Sequence, residues 1–84
     1  MKVTLLGFKS VDFTDDNGAR VEGINLYIGY PDSNTVGKAA ERQFIYKEVF
    51  DGFGVSPELL AKYINKEINI EYNRRGKVGG LTVA

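Results

Sequence analysis

"SPELLAKYIN", Ser56 to Asn65, decides how the rest of the chain is read, because every local signal in it favours a short helix. Ser56 offers a hydroxyl to the unpaired amides of a first turn. Pro57 presets the φ of a first helical residue, and Glu58 answers the positive end of the helix dipole. Leu59, Leu60 and Tyr63, with Ile64 beside them, form an apolar stripe at helical spacing, and Asn65 is placed to close the helix. The segments on both sides carry strand signals instead, so the place of this helix among the strands sets the topology.

Upstream, Lys2 to Asp15 (KVTLLGFKSVDFTD) is rich in Val, Leu, Phe and Thr and reads as a long strand, with Gly7 marking a bulge or bend. Phe8 and Phe13 are assigned to its core side. Asn17-Gly18 is the preferred pair for a two-residue type I′ turn, in which both positions take positive φ. Arg20 to Tyr30 (RVEGINLYIGY) then alternates: Ile24, Leu26 and Ile28 on a core face, Asn25, Tyr27 and Gly29 on the other. Pro31 to Glu41 has loop composition, with Lys38 to Glu41 alternatively a helical turn.

The third strand is expected over Arg42 to Phe50 (RQFIYKEVF), and neither of its faces is cleanly apolar. One phase turns Arg42, Phe44 and Tyr46 outward and leaves Ile45 and Val49 for the core; the other does the reverse. Beyond the helix, Glu67 to Asn73 alternates Ile68, Ile70 and Tyr72 against Asn69, Glu71 and Asn73. Arg74 to Lys77 (RRGK) turns the chain, and Val78 to Ala84 is the last strand. Tyr63 and Tyr72 are expected to cover the seam between the helix and the sheet.

The order is thus strand, strand, strand, helix, strand, strand, within a single domain spanning residues 1–84. An all-β chain with one short helix in that place has the plan of a five-stranded Greek-key barrel of OB-fold type. Such barrels bind oligonucleotides through strands 2 and 3 and through the loops after strands 1 and 4. Closure also removes the exposed sheet edges that a short β chain must otherwise protect. The alternative is an open α+β sheet with the helix packed across one face.

Composition narrows the chemistry. Hydrophobic residues make up 43% and charged residues 26% of the chain, as in an ordinary globular domain. No apolar run approaches the ~18 residues of a membrane span, and the first residues lack the pattern of a signal peptide, so a cytoplasmic protein is expected. Cysteine and histidine are both absent. That excludes disulfides, thiolate metal sites and a cysteine nucleophile, and it removes the commonest general base and metal ligand. Asp15 and Asp16 lack the further ligands of a calcium loop, and Gly52-Phe53-Gly54 lacks the third glycine of a dinucleotide fingerprint. No enzyme activity, cofactor or metal is expected.

Charge is balanced, with eleven basic and eleven acidic residues, yet unevenly spread. Asp12 to Glu22 holds four acids against one base, whereas Arg74, Arg75 and Lys77 crowd around Gly76 with only Glu71 near. Stacking of a base on an exposed aromatic ring is worth ~1–3 kcal/mol and tolerates any sequence. On the barrel plan, Tyr27, Phe44 and Tyr46 form a stacking platform. Arg42 and Lys47 flank it, and Arg74, Arg75 and Lys77 supply a basic loop after the fourth strand. Structural alternatives stand beside each: aromatic rings favour strands for packing alone, and RRGK is also an ordinary solvated turn.

In length, strand order, strand aromatics and late hairpin, the chain resembles the small OB-fold single-stranded DNA-binding proteins of phages and mobile elements, the gene V protein type of filamentous phages. The resemblance implies sequence-independent binding of single strands, commonly by a homodimer, during replication or packaging. It also implies Tyr27, Phe44 and Tyr46 as stacking groups, and Arg42, Lys47, Arg74, Arg75 and Lys77 as phosphate contacts. The other reading is a protein-interaction module, an inhibitor or accessory subunit of such an element, to which the acidic Asp12–Glu22 hairpin is suited.

Overall fold

The computed structural model describes residues 1–83. It is mostly β: a five-stranded antiparallel sheet with two short helices. The strands are β1 (Lys2–Thr14), β2 (Arg20–Pro31), β3 (Lys38–Tyr46), β4 (Glu67–Tyr72) and β5 (Val78–Thr82). The helices α1 (Lys47–Asp51) and α2 (Pro57–Ala61) both lie between β3 and β4. Spatial order is β3-β2-β1-β4-β5, so β3 and β5 are the two edges. The sheet is not closed: among the described residues β3 and β5 share no ladder. Across the opening, Tyr72 Oη at the end of β4 donates to Glu41 Oε1 of β3 at 2.8 Å.

Period-2 alternation builds the core. Ile24, Leu26 and Ile28 of β2 are buried, as their spacing requires, and meet Val3, Leu5, Ile45, Ile68, Ile70, Val78 and Leu81 from the other strands. Burying a side chain of this size is worth ~1.5–3 kcal/mol, so this cluster is the main source of stability. Both helices then cap it, α1 through Phe50 and α2 through Leu60.

α2 forms as its sequence dictates. Ser56 Oγ accepts from the Leu59 amide at 3.1 Å, Pro57 opens the helix, and Glu58 lies in its first turn. The helix ends at Ala61 with Lys62 as its C-cap, short of the expected stop at Asn65, which takes a left-handed φ of 65° further along. The Asn65 amide then donates to the Leu5 carbonyl at 2.7 Å, tying the helical segment to β1.

Three expectations are corrected. The third strand begins four residues early, at Lys38, and ends at Tyr46, so Lys38 to Glu41 is strand and not helical turn. From Lys47 the chain is helical because that period buries Phe50, which a continued strand would point outward with Phe44 and Tyr46. Val49, assigned to the core, is consequently 43% exposed. The 15–19 turn is not type I′: Gly18 has a φ of 81°, but Asn17 does not have positive φ. Instead the Gly18 amide donates to the Asp15 carbonyl at 3.0 Å and the Asp15 amide to the Ala19 carbonyl at 2.9 Å, a three-residue loop closed by a left-handed glycine.

The third correction concerns Phe13. The β1–β2 register slips between Leu5 and Gly7, the bulge that Gly7 signalled. Before it, odd-numbered Val3 and Leu5 face the core; after it, even-numbered Phe8 packs against the core, and Ser10 and Asp12 share its phase while lying exposed. One extra residue inverts the alternation, so Phe13 points away from the core and is 50% exposed. The last strand expected over Val78 to Ala84 is seen through Thr82, and Ala84 lies outside the described residues.

Candidate nucleic-acid interface

The face of β1–β2–β3 turned away from the core carries the candidate site. Its cross-strand rows follow from the registers: Gly7, Tyr27 and Arg42; then Lys9, Asn25 and Phe44; then Val11, Gly23 and Tyr46; then Phe13 and Val21. The outward phase of β3 is therefore the one that presents Arg42, Phe44 and Tyr46, with Ile45 buried beneath. Tyr27 stands on the same face beside Arg42, opposite Gly7.

Three of these rings touch. Phe44 and Tyr46 meet edge to face with centroids 5.1 Å apart, and Phe44 and Phe13 meet tilted at 6.4 Å. The second contact spans from β3 to β1, and Gly23 makes it possible. A Cβ at that position would lie 2.5 Å from the Phe44 ring and 2.5 Å from the Ile45 carbonyl oxygen. The bare backbone lets the ring lean across β2. Tyr46, at 59% exposure, and Phe13 flank it in the open.

Charge is sorted between the two faces of this part of the sheet. On the outward phase of β1–β3 stand Lys2, Lys9, Lys38 and Arg42 and no carboxylate, Lys2 being paired at 3.6 Å with Glu67 of the neighbouring β4. The acids Asp12, Glu22 and Glu41 all lie on the opposite phase. Asp12 and Glu22 there share Arg20, at 2.6 and 3.0 Å, and Glu41 accepts from Tyr72. The Arg20 hydrogen bond holds the Asp12 carboxyl below its ordinary value. Lys38 Nζ donates to Thr4 Oγ1 at 2.9 Å across the basic face. A chain of zero net charge thus presents one cationic, aromatic surface.

Of the remaining sequence candidates, the structure separates two groups from that surface. Lys47 is the first residue of α1, not an outward strand residue. Its ammonium lies 3.1 Å from Asp51, with Glu22 and Glu48 near, and the bond to Asp51 raises its pKa. It borders a cleft of about 470 Å³ shared with Arg20, Val21, Glu22, Tyr46 and Glu48. Arg74, Arg75 and Lys77 occupy the exposed tip of the β4–β5 hairpin, and none of them forms an ion pair among the described residues.

The tip stands near β3 because Tyr72, two residues before Arg74, reaches Glu41, the neighbour of Arg42. Desolvation, then the Glu41 hydrogen bond, push the Tyr72 phenol up to about 12. The tip is therefore at the Arg42 end of β3. Phe44 and Tyr46 lie further along, Tyr46 being roughly 13 Å from Arg42 at the rise of a strand. Tyr63 packs against the core beside α2, whereas Tyr72 bridges the sheet opening and not the helix seam.

Phe13, Lys9 and Lys38 belong to this face and were not singled out by their sequence context. For Phe13 a signal existed: Gly7 marked the bulge that inverts its phase. Among the described residues no three carboxylates group as metal ligands, and no helix is long and apolar enough to cross a membrane. No protein-family model, curated protein or solved structure matches the chain.

Proposed function

We propose that this chain is a non-enzymatic module that binds single-stranded nucleic acid largely without regard to sequence, on the outward face of β1–β2–β3. One observation carries the reading: exposed aromatic rings and cations share this face, and no carboxylate of the three strands does. Bases have π-faces for Tyr27, Phe44 and Tyr46 to meet, and phosphates suit Arg42 and the Arg74–Lys77 tip. Strand order supports it as well. β3-β2-β1-β4-β5 is the order of an OB-type barrel opened between its third and fifth strands, with the basic tip in the place of the loop after strand 4.

The test uses the five tyrosines as reporters, since tryptophan is absent. Oligo(dT) at low salt should quench tyrosine emission, and added salt should restore it as counterions compete for the phosphates. Unchanged emission at low salt, together with no mobility shift, would sink the proposal. A second reading rests on the acidic Asp12–Glu22 hairpin, which is suited to a basic protein partner. A Tyr27→Ala, Arg74→Ala, Arg75→Ala variant should lose nucleic acid while keeping such a partner.

A further inference from the structure

We infer that Phe13, Phe44 and Tyr46 act as one stacking row laid across β1–β3, with the phosphodiester chain on its Lys9–Arg42 side. The inference rests on the single-strand reading above and specifies where on that face the strand lies. Phe13 is half exposed at the far end of β1, yet it is tied into the face by its contact with Phe44. An isolated exposed phenylalanine would need no explanation, but this one is the third ring of a continuous series. Gly23 acts as the positioning residue, because any side chain there would collide with the Phe44 ring that joins the other two.

Charge then sets the side on which the backbone runs. Lys9 shares a cross-strand row with Asn25 and Phe44, and Arg42 the next row with Tyr27, and neither forms an ion pair among the described residues. Arg20 and Lys47, which share a cleft with Tyr46 beyond the ring series, are instead paired with Asp12 and Glu22 and with Asp51. On its other side is the β1–β2 tip with Asp15 and Asp16. A polyanion is attracted to the first side and repelled from the second. The acidic tip, which looks misplaced on a nucleic-acid-binding protein, then serves as a boundary. It keeps the phosphates on the Lys9–Arg42 side and leaves the rings for the bases.

The experiment measures oligo(dT) binding across a salt series for the wild type, Phe13→Ala, Phe13→Tyr and Lys9→Ala. Phe13→Ala should weaken binding roughly tenfold at every salt concentration without changing the salt slope, because a ring and not a charge is lost. Phe13→Tyr should restore it. Lys9→Ala should lower the log–log salt slope by about 0.7, one phosphate contact on a single strand. A Phe13→Trp variant gives an independent reading that does not depend on a truncated side chain being tolerated. Its only tryptophan should be quenched by oligo(dT) and recover in salt.

Wild-type binding that Phe13→Ala leaves unchanged, or tryptophan emission from Phe13→Trp that is indifferent to bound oligo(dT), would overturn the row while sparing the single-strand reading. A Lys9→Ala variant with the wild-type slope would overturn the placement of the phosphodiester chain. Failure of the wild type itself to bind would overturn the reading and this inference together.

Discussion

The two hairpin tips, 15–19 and 73–77, are built alike and charged oppositely. In each, the first side chain, Asp15 or Asn73, accepts from the amides two and four residues on, at distances of 2.9 to 3.1 Å. In each, the fourth residue is a left-handed glycine, Gly18 at φ 81° or Gly76 at φ 74°, whose amide closes the turn. The two residues between do no structural work that their side chains record: Asp16 and Asn17 in one tip, Arg74 and Arg75 in the other. Turn geometry is therefore set by the Asx and the glycine, and the middle positions are left to carry charge. The tips also point to opposite ends of the sheet. β4 pairs with β1 at Lys2–Thr4 and continues past its start, whereas the acidic tip follows its end.

The comparison breaks most visibly at the glycines. Gly18→Ala and Gly76→Ala each force a Cβ into the left-handed region and should cost about 1–2 kcal/mol apiece. Combined, they should cost roughly the sum, since the tips share no contacts. Denaturant melts of the two single variants and the double variant check this. Markedly unequal costs would mean that the tips are not mechanically equivalent. Charge comes next. Arg74→Ala with Arg75→Ala should reduce the salt slope of oligo(dT) binding by about 1.4, and Asp15→Asn with Asp16→Asn should not reduce it.

The Asx positions sharpen the likeness further. Asp15→Ala and Asn73→Ala each remove two side-chain-to-amide bonds, at about 0.5–1.5 kcal/mol per bond net, while Asp15→Asn should be close to neutral. The smallest effects are in titration. Asp12, near the acidic tip, has its pKa lowered by Arg20. Its contribution to stability is present above its ordinary value of 3.8 and is lost as pH falls through the lower folded value. Carboxyl NMR titration of the wild type against Arg20→Gln should show this shift vanish.

Near the basic tip the sign is reversed. Tyr72 is raised from 10.0 to about 12, so its contribution holds below pH 10 and is lost as pH rises toward 12. A phenolate absorbance titration should show one late tyrosine, absent in Tyr72→Phe and earlier in Glu41→Gln.

Much of this was legible because it depends on neighbours in sequence. The β2 alternation, the Ser56–Pro57–Glu58 helix start and the Gly7 bulge each involve residues a few positions apart. Where sequence reading failed, a competing partner had decided the outcome. Asn17-Gly18 suits a type I′ turn locally, but Asp15 offers its carboxylate to two amides of the loop and selects a longer one. Val49 and Phe50 are equally apolar neighbours, and only the space above the core chose Phe50.

Taken alone, then, the amino-acid sequence determined the strand count, the place of α2, the core face of β2 and the two glycine-closed tips. These follow from side-chain periodicity and backbone stereochemistry, which act over a few residues. Only the tertiary structure decided that the sheet stays open between β3 and β5, that Phe13 faces outward, and that Gly23 makes room for Phe44. It also decided that the acids of β1–β3 fall on the face opposite Lys9, Lys38 and Arg42. Each of these depends on register, and register is a relation between strands that no single strand encodes.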